Sequence, residues 1–369
     1  MEKLLAAPSR FVIGADALDE LGRCINLLGK RAFIIGGKTA LSKVESRVTK
    51  TLAECGVQVV GTCRGVSACT HKEIEQIVET GRRLQPDLCL GMGGGTVSDA
   101  AKAVAFRLGV PVALAPTICT TNADSTACSV IYSSMHEFLE LMVFPRNPEL
   151  VVVDTRLMVE ARKDTIQLGM GDALAARFEA EACHASQARN IHGGLGTSLS
   201  LAAARVCFDK LMAHGTEAKL AADNGLLTGG VEEVIEAVKL LSAFAWEGSG
   251  TAAAHAMHSG LTYIETVAPP HNMHGEIVAF CTIAQLVLER RREDEIRAII
   301  QWCSEVQLPV TLADLGGPDD AQLERAADKA CDPRFGMANM PFRVTPSMVH
   351  DAWLVADLLG RRFLEGKPP

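Results

Sequence analysis

Apolar positions in the first half of the chain fall into short runs that alternate with amphipathic stretches. Arg31-Ala32-Phe33-Ile34-Ile35 and Leu88-Cys89-Leu90-Gly91-Met92 read as strands that end at Gly36-Gly37 and Gly93-Gly94-Gly95. Residues 57–60 and 110–115 add two more strands. Between them, His71 to Leu84 places Ile74, Ile77 and Val78 at helical spacing. Strands alternating with helices predict βαβ units and a mainly parallel sheet. Residues 127–144 break the rhythm and read as a β-hairpin laid over the sheet's edge, turning at Ser133-Ser134; Leu150 to Asp154 reads as the sheet's last strand. After Arg156 helical periodicity takes over. Val231, Val234, Ile235, Val238 and Leu241 form one stripe, Ile296, Ile299, Ile300 and Cys303 another. Pro309, Gly316-Gly317-Pro318 and Pro333 separate helices. The pattern predicts a Rossmann-like α/β domain over residues 1–160 and an all-α domain over 161–369.

Composition narrows the function classes. The 369 residues are long for one core, which agrees with two domains. A net charge of −8 disfavours a nucleic-acid or acidic-membrane partner, since phosphates would be repelled. Twelve cysteines without any C-x-x-C pair read as reduced, mostly buried thiols. The amino-terminal stretch has no long apolar run, and no run of about 18 apolar residues occurs, so a cytoplasmic location is expected.

Two stretches carry chemistry. Gly93-Gly94-Gly95-Thr96-Val97-Ser98-Asp99 follows a strand and opens a helix, where Cβ-free backbone and unpaired N–H groups suit a pyrophosphate. A plain strand-to-helix turn capped by Ser98 or Asp99 is the alternative. Gly37, at an earlier strand end, stands where an acidic residue would take a ribose 2′-hydroxyl; its small size beside Lys38 leaves room for a 2′-phosphate, so NADP stands beside NAD. The second stretch is a gathering of ligand-type residues. Gly169-Met170-Gly171-Asp172 puts an aspartate at a predicted helix start. His255 and His258 lie three apart on an Ala-rich helix, with His271 and His274 at a following loop-to-helix junction. Asp172 as a helix cap and the histidines as core residues are the plainer alternatives. Two imidazoles and one carboxylate with a fourth position open form the ligand set of a catalytic Zn²⁺ or Fe²⁺.

These segments together resemble the glycerol dehydrogenases of the iron-containing (group III) alcohol dehydrogenase family. The resemblance rests on Gly93-Gly94-Gly95 with Asp99-Ala100-Ala101-Lys102, Ala115-Pro116-Thr117-Ile118, Phe144-Pro145-Arg146-Asn147-Pro148 and Gly171-Asp172-Ala173-Leu174-Ala175. Its strongest parts are Ala252-Ala253-Ala254-His255-Ala256-Met257-His258 and His274-Gly275-Glu276-Ile277. It implies a dehydroquinate synthase-like architecture, a homo-oligomer, and Asp172, His255 and His274 as metal ligands. It also implies dinucleotide contacts from Gly93, Gly94, Gly95, Asp99, Thr117 and Tyr132. Gly37, Thr96, Thr120, Thr126 and Cys128 depart from the family's residues at further cofactor-contacting positions. Asn122 replaces the aspartate that holds a glycerol hydroxyl, with Asp124 two residues on. The implied reaction is NAD(P)-linked interconversion of a small alcohol, such as a 1,2-diol, and its ketone, through metal-polarised alkoxide formation and hydride transfer. His258 is a possible proton relay; His271 is a further substrate-site candidate. A 2-hydroxy acid dehydrogenase is the neighbouring expectation. A dehydroquinate synthase-like lyase and a catalytically silent nucleotide-binding relative are expectations of other classes.

Overall fold

A computed structural model describes residues 2–133 and 138–366, in two compact units. The first contains Ala6–Thr165 with Gly225–Leu227. Its strands are β1 (Phe11–Gly14), β2 (Arg31–Gly36), β3 (Gln58–Arg64), β4 (Leu88–Gly93), β5 (Val112–Pro116), β6 (Cys128–Tyr132), β7 (Phe138–Val143) and β8 (Leu150–Asp154). Its helices are α1 (Leu21–Ile25), α2 (Lys38–Glu54), α3 (His71–Leu84), α4 (Gly95–Leu108) and α5 (Thr155–Val159).

Six strands pair in parallel in the order β1-β8-β5-β4-β2-β3. Interior strands β4, β5 and β8 are buried along their length, as continuous apolar runs covered on both faces must be. Alternation along each strand divides them between two apolar layers. Ala32, Ile34, Leu90 and Met92 pack with α2 residues Leu41, Val44 and Val48, whereas Phe33, Ile35, Cys89 and Leu114 pack with α3 and α4. The chain runs outward from β2 to β3, then crosses back to β4 on the other side of β2. That reversal puts Gly36-Gly37 and Gly93-Gly94-Gly95 at neighbouring strand ends, joined where the Gly37 N–H donates to the Met92 carbonyl at 3.4 Å. A reversal of this kind leaves a crevice at the carboxyl ends of the strands.

Three features add to the sequence reading. Strand β1 escaped the sequence reading because it has four half-buried residues at a sheet edge. Strand β8 is last in the chain but lies inside the sheet, between β1 and β5. The β6–β7 hairpin does not extend the sheet's edge: it forms a separate antiparallel ribbon packed on α4. It is tied there because Asp99 of α4 accepts the Val130 N–H at 3.1 Å and the Ser129 hydroxyl donates to the Asp99 carbonyl at 2.8 Å. Ser134, placed in the hairpin turn by the sequence reading, lies outside the described residues.

The second unit is built from Met1–Leu5, Ile166–Asn224 and the chain from Thr228 onward. Its helices are α6 (Thr165–Ser186), α7 (Ser198–Asp223), α8 (Gly229–Glu236), α9 (Ser242–Ser249), α10 (Ala253–Leu261), α11 (His274–Leu288), α12 (Glu293–Glu305), α13 (Asp320–Ala330) and α14 (Pro346–Leu364). The predicted stripe from Val231 to Leu241 is helical throughout but passes through a π-helical turn at Ala237–Leu241. Helix α11 is apolar nearly all round and correspondingly buried from Ile277 to Leu286. Among the described residues no helix is long and apolar enough to cross a membrane.

Two glycines set the approach of α6 and α11. A Cβ on Gly171 would stand 2.3 Å from the Gly275 carbonyl oxygen, and one on Gly275 would stand 1.8 Å from the Leu168 carbonyl oxygen. Both obstacles are backbone, so a side chain at either position forces the helices apart. Gly275→Ala is expected to destabilise the protein by about 1–3 kcal/mol. Gly229→Ala, where a Cβ meets nothing within 4 Å, is expected to be neutral. Paired thermal-unfolding curves check both.

Candidate metal and dinucleotide sites

Asp172 is not at a helix start. It lies inside the 22-residue helix α6, which runs unbroken through Gly169 and Gly171; Gly171 serves the close crossing with α11 rather than termination. The adjoining crossing brings Asp172 to the first residue of α11, His274, whose Nε2 lies 3.1 Å from Asp172 Oδ1. Helix α10 supplies His255, with Nε2 3.3 Å from the same oxygen. One ligand atom from each of the three residues lies within 4.8 Å of the others. Donors about 2 Å from a shared ion stand about 3.3 Å apart in tetrahedral geometry, so these separations suit a divalent cation.

The partners on the far side of each imidazole explain the orientation. His255 Nδ1 sits 2.6 Å from Glu179 Oε2, while Glu179 Oε1 accepts the Ala252 and His255 N–H groups at 2.8 and 2.9 Å. Glu179 is fully buried. Its carboxylate only accepts, so His255 Nδ1 carries a proton and Nε2 is the atom left facing Asp172 Oδ1. Without a metal ion a proton on Nε2 bridges that contact, and a divalent cation would take the proton's place. The same field acts on protons: burial alone would lower the His255 imidazole, yet Glu179 and Asp172 outweigh it and raise it to about 10. Burial pushes the Asp172 carboxyl up, but His274 and His255 outweigh it and hold it below the usual range. His274 Nδ1 lies 2.9 Å from His258 Nε2, and burial, then the neighbouring histidines, keep His258 well below its ordinary value and so uncharged. The residues fit a cation of the Zn²⁺ or Fe²⁺ class.

In the α/β unit, Gly94 precedes α4 and no side chain caps the helix. Ser98 and Asp99 therefore do not cap it; the Val97 N–H turns back to the Gly94 carbonyl at 3.0 Å, and the Gly95 and Thr96 amides are the ones at the helix start that suit an anion. A Cβ on Gly94 would stand 2.7 Å from Ile118, and one on Gly95 would stand 3.0 Å from Thr121 Oγ1. The segment after β5 thus closes over the glycine turn. It is anchored where the Thr117 N–H donates to the Gly93 carbonyl at 2.9 Å.

A family model described as iron-containing alcohol dehydrogenase matches residues 8–155. The chain is 40% identical to the glycerol dehydrogenase of Escherichia coli O6:H1, over 99% of both chains. It is 37% identical to that of Citrobacter freundii, over 99% of this chain and all of the other. The chain belongs to the iron-containing alcohol dehydrogenase family. Within that family it is glycerol dehydrogenase-like. A solved structure of a probable glycerol dehydrogenase from Sinorhizobium meliloti 1021 superposes with a TM-score of 0.91 at 36% identity, covering 97% of this chain and 99% of that one.

Against this family background the remaining residues sort by position. His271 is exposed, in a turn before α11, and does not join the three-ligand cluster. Asp99 is engaged by Lys102 at 3.0 Å and by the Val130 N–H at 3.1 Å. Thr126 and Cys128 are buried, with the Thr126 hydroxyl on the Ala123 carbonyl at 3.2 Å and Cys128 Sγ 3.7 Å from that hydroxyl. Thr120 is half-buried beyond β5, and Tyr132 is exposed at the end of β6. Asn122 is half-buried before a 3₁₀ turn, and its carbonyl accepts the Ser125 N–H at 2.9 Å; Asp124, inside that turn, is buried. Gly37 precedes α2, where a Cβ would meet only Val97 at 3.6 Å and the Val66 carbonyl oxygen at 4.0 Å.

Glu179 is the site residue that the sequence reading missed. Its signal was present: it follows Asp172 by seven residues, two turns along the same face of one helix. Glu179→Gln replaces an acceptor with an amide that can donate to His255 Nδ1, and the ring then presents a proton rather than a lone pair. Metal affinity is expected to fall about 10–100-fold, measured by chelator competition.

Proposed function

We propose that this protein is a metal-dependent, NAD(P)-linked alcohol dehydrogenase that interconverts a small polyol of the glycerol type and its ketone, with Asp172, His255 and His274 holding the metal. The observation that carries the reading is the pair of imidazole nitrogens aimed at one buried carboxylate oxygen, 3.1 and 3.3 Å away. A divalent cation held there supplies positive charge that eases deprotonation of an alcohol hydroxyl. The protein's own part is positional. Glu179 fixes the tautomer of His255, and His258 engages the far nitrogen of His274 as an uncharged partner. His258 is a candidate proton relay through that same contact. Gly93, Gly94, Gly95 and Thr96 form the uncapped turn that receives the dinucleotide diphosphate. Hydride chemistry belongs to the nicotinamide.

Substrate choice rests on Asn122. A carboxylate accepts from hydroxyls with charge-assisted strength, roughly twice that of a neutral bond, whereas an amide accepts weakly and also donates. Asn122 is half-buried while Asp124 is enclosed, so the amide is the more accessible group. We assign it the contact to the substrate's second oxygen. That favours 1,2-diols and 2-hydroxy ketones in which this oxygen both donates and accepts.

Asp172→Asn is expected to lose metal and to lower turnover at least about a hundredfold. Its dinucleotide affinity should stay within a factor of about three, because Asp172 is not part of the glycine turn. Metal analysis, diol-dependent nicotinamide absorbance and a cofactor-binding titration read the three quantities. Retention of both metal and turnover would sink the ligand assignment. Gly37 leaves the 2′-position of the ribose free of carboxylate. The wild type is expected to accept NADP as well as NAD, and Gly37→Asp to cut kcat/KM for NADP about tenfold or more while sparing NAD. Steady-state kinetics with both cofactors check it.

A further inference from the structure

Lys102 lies on α4, two turns from the helix start, and its side chain is buried. An ammonium group carries three protons and, once buried, must find acceptors for them. Lys102 Nζ finds them mostly in the segment between β5 and β6. It lies 2.6 Å from the Ala123 carbonyl oxygen, 3.2 Å from that of Thr126, 3.4 Å from the Thr126 hydroxyl, and it donates to the Cys128 carbonyl. Its charge is balanced by Asp99 Oδ1 at 3.0 Å. Asp99 holds the Val130 N–H through its other oxygen, and Asn147 Nδ2 donates to the Ser125 carbonyl at 3.0 Å. Several carbonyls drawn to one buried cation make a loop whose course depends on that charge.

The segment so gathered is the one that matters to a substrate. It contains Asn122 and Asp124, and it runs against the first turn of α4, with Thr121 Oγ1 and Ala123 Cβ at 3.0 and 3.6 Å from where a Gly95 Cβ would be. Resting on the function proposed above, we infer that Lys102, balanced by Asp99, is a positioning residue for substrate specificity. It holds the turn that presents Asn122 and forms the wall beside the glycine loop, without itself touching substrate. The role also accounts for Asp99, whose carboxylate serves the ammonium and the hairpin.

Lys102→Met alone leaves the Asp99 carboxylate buried without a cation, and such a variant can fail to fold for that reason. The double variant Asp99→Asn/Lys102→Met removes both charges and keeps an acceptor for Val130. In the metal-loaded double variant, amide hydrogen exchange over residues 121–130 is expected to rise about tenfold or more, with exchange in α10 and α11 unchanged. KM for a 1,2-diol is expected to rise about tenfold while kcat falls less than threefold, and metal content stays that of the wild type. Unchanged exchange in 121–130 would overturn the inference. So would raised exchange with an unchanged KM, which would make the lysine structural only. If the wild type oxidises no diol, the functional reading fails, and the exchange measurement still decides whether Lys102 holds the loop.

Discussion

The close crossing of α6 and α11 is the constraint on which the metal-binding half depends. Gly171 and Gly275 each meet the other helix's backbone where a Cβ would belong, and the residues next to them, Asp172 and His274, are therefore brought within hydrogen-bond distance. Helix α10 then needs only to present His255 to the same carboxylate oxygen. Glu179, two turns beyond Asp172 on α6, accepts two backbone N–H groups at the start of α10 as well as the imidazole. One helix thus carries both the carboxylate of the cluster and the group that orients one of its imidazoles. The cluster is a property of helix packing.

The α/β unit obeys a separate logic. Its reversal of strand order puts two glycine-ended strands side by side, and the uncapped start of α4 supplies unpaired amides at that point. Buried charge then shapes the neighbouring loop: Lys102 and Asp99 cost desolvation individually but satisfy each other, and the other donors of the ammonium gather the carbonyls of Ala123, Thr126 and Cys128. Both units use enclosed polar groups to fix geometry at their sites.

Much of this was legible in the sequence, and the failures have physical reasons. Periodicity located β2, β4, α3 and the apolar stripe of α12, because long buried segments carry strong patterns. It missed β1, whose four half-buried residues have no pattern to detect, and it misplaced the hairpin, because its seat on α4 depends on Asp99 contacts thirty residues distant. Gly169 and Gly171 suggested a helix boundary at Asp172, since glycine more often ends helices than packs them. Four histidines within twenty residues marked a site, but spacing alone did not choose among them. The choice of His255 and His274 came with the family resemblance, and His271 proves to be on the surface. Asp99 drew a cofactor role from its motif, whereas its partner was Lys102, three residues away on the same helix face.

The central claim is that Asp172, His255 and His274 form one cation site. X-ray absorption on chelator-treated protein reloaded with Zn²⁺ tests it most directly. The account predicts saturation at one ion per chain, with a coordination shell of two imidazole nitrogens and oxygen neighbours at about 2.0–2.2 Å. Failure to bind stoichiometrically, or a shell without imidazole scattering, would contradict it.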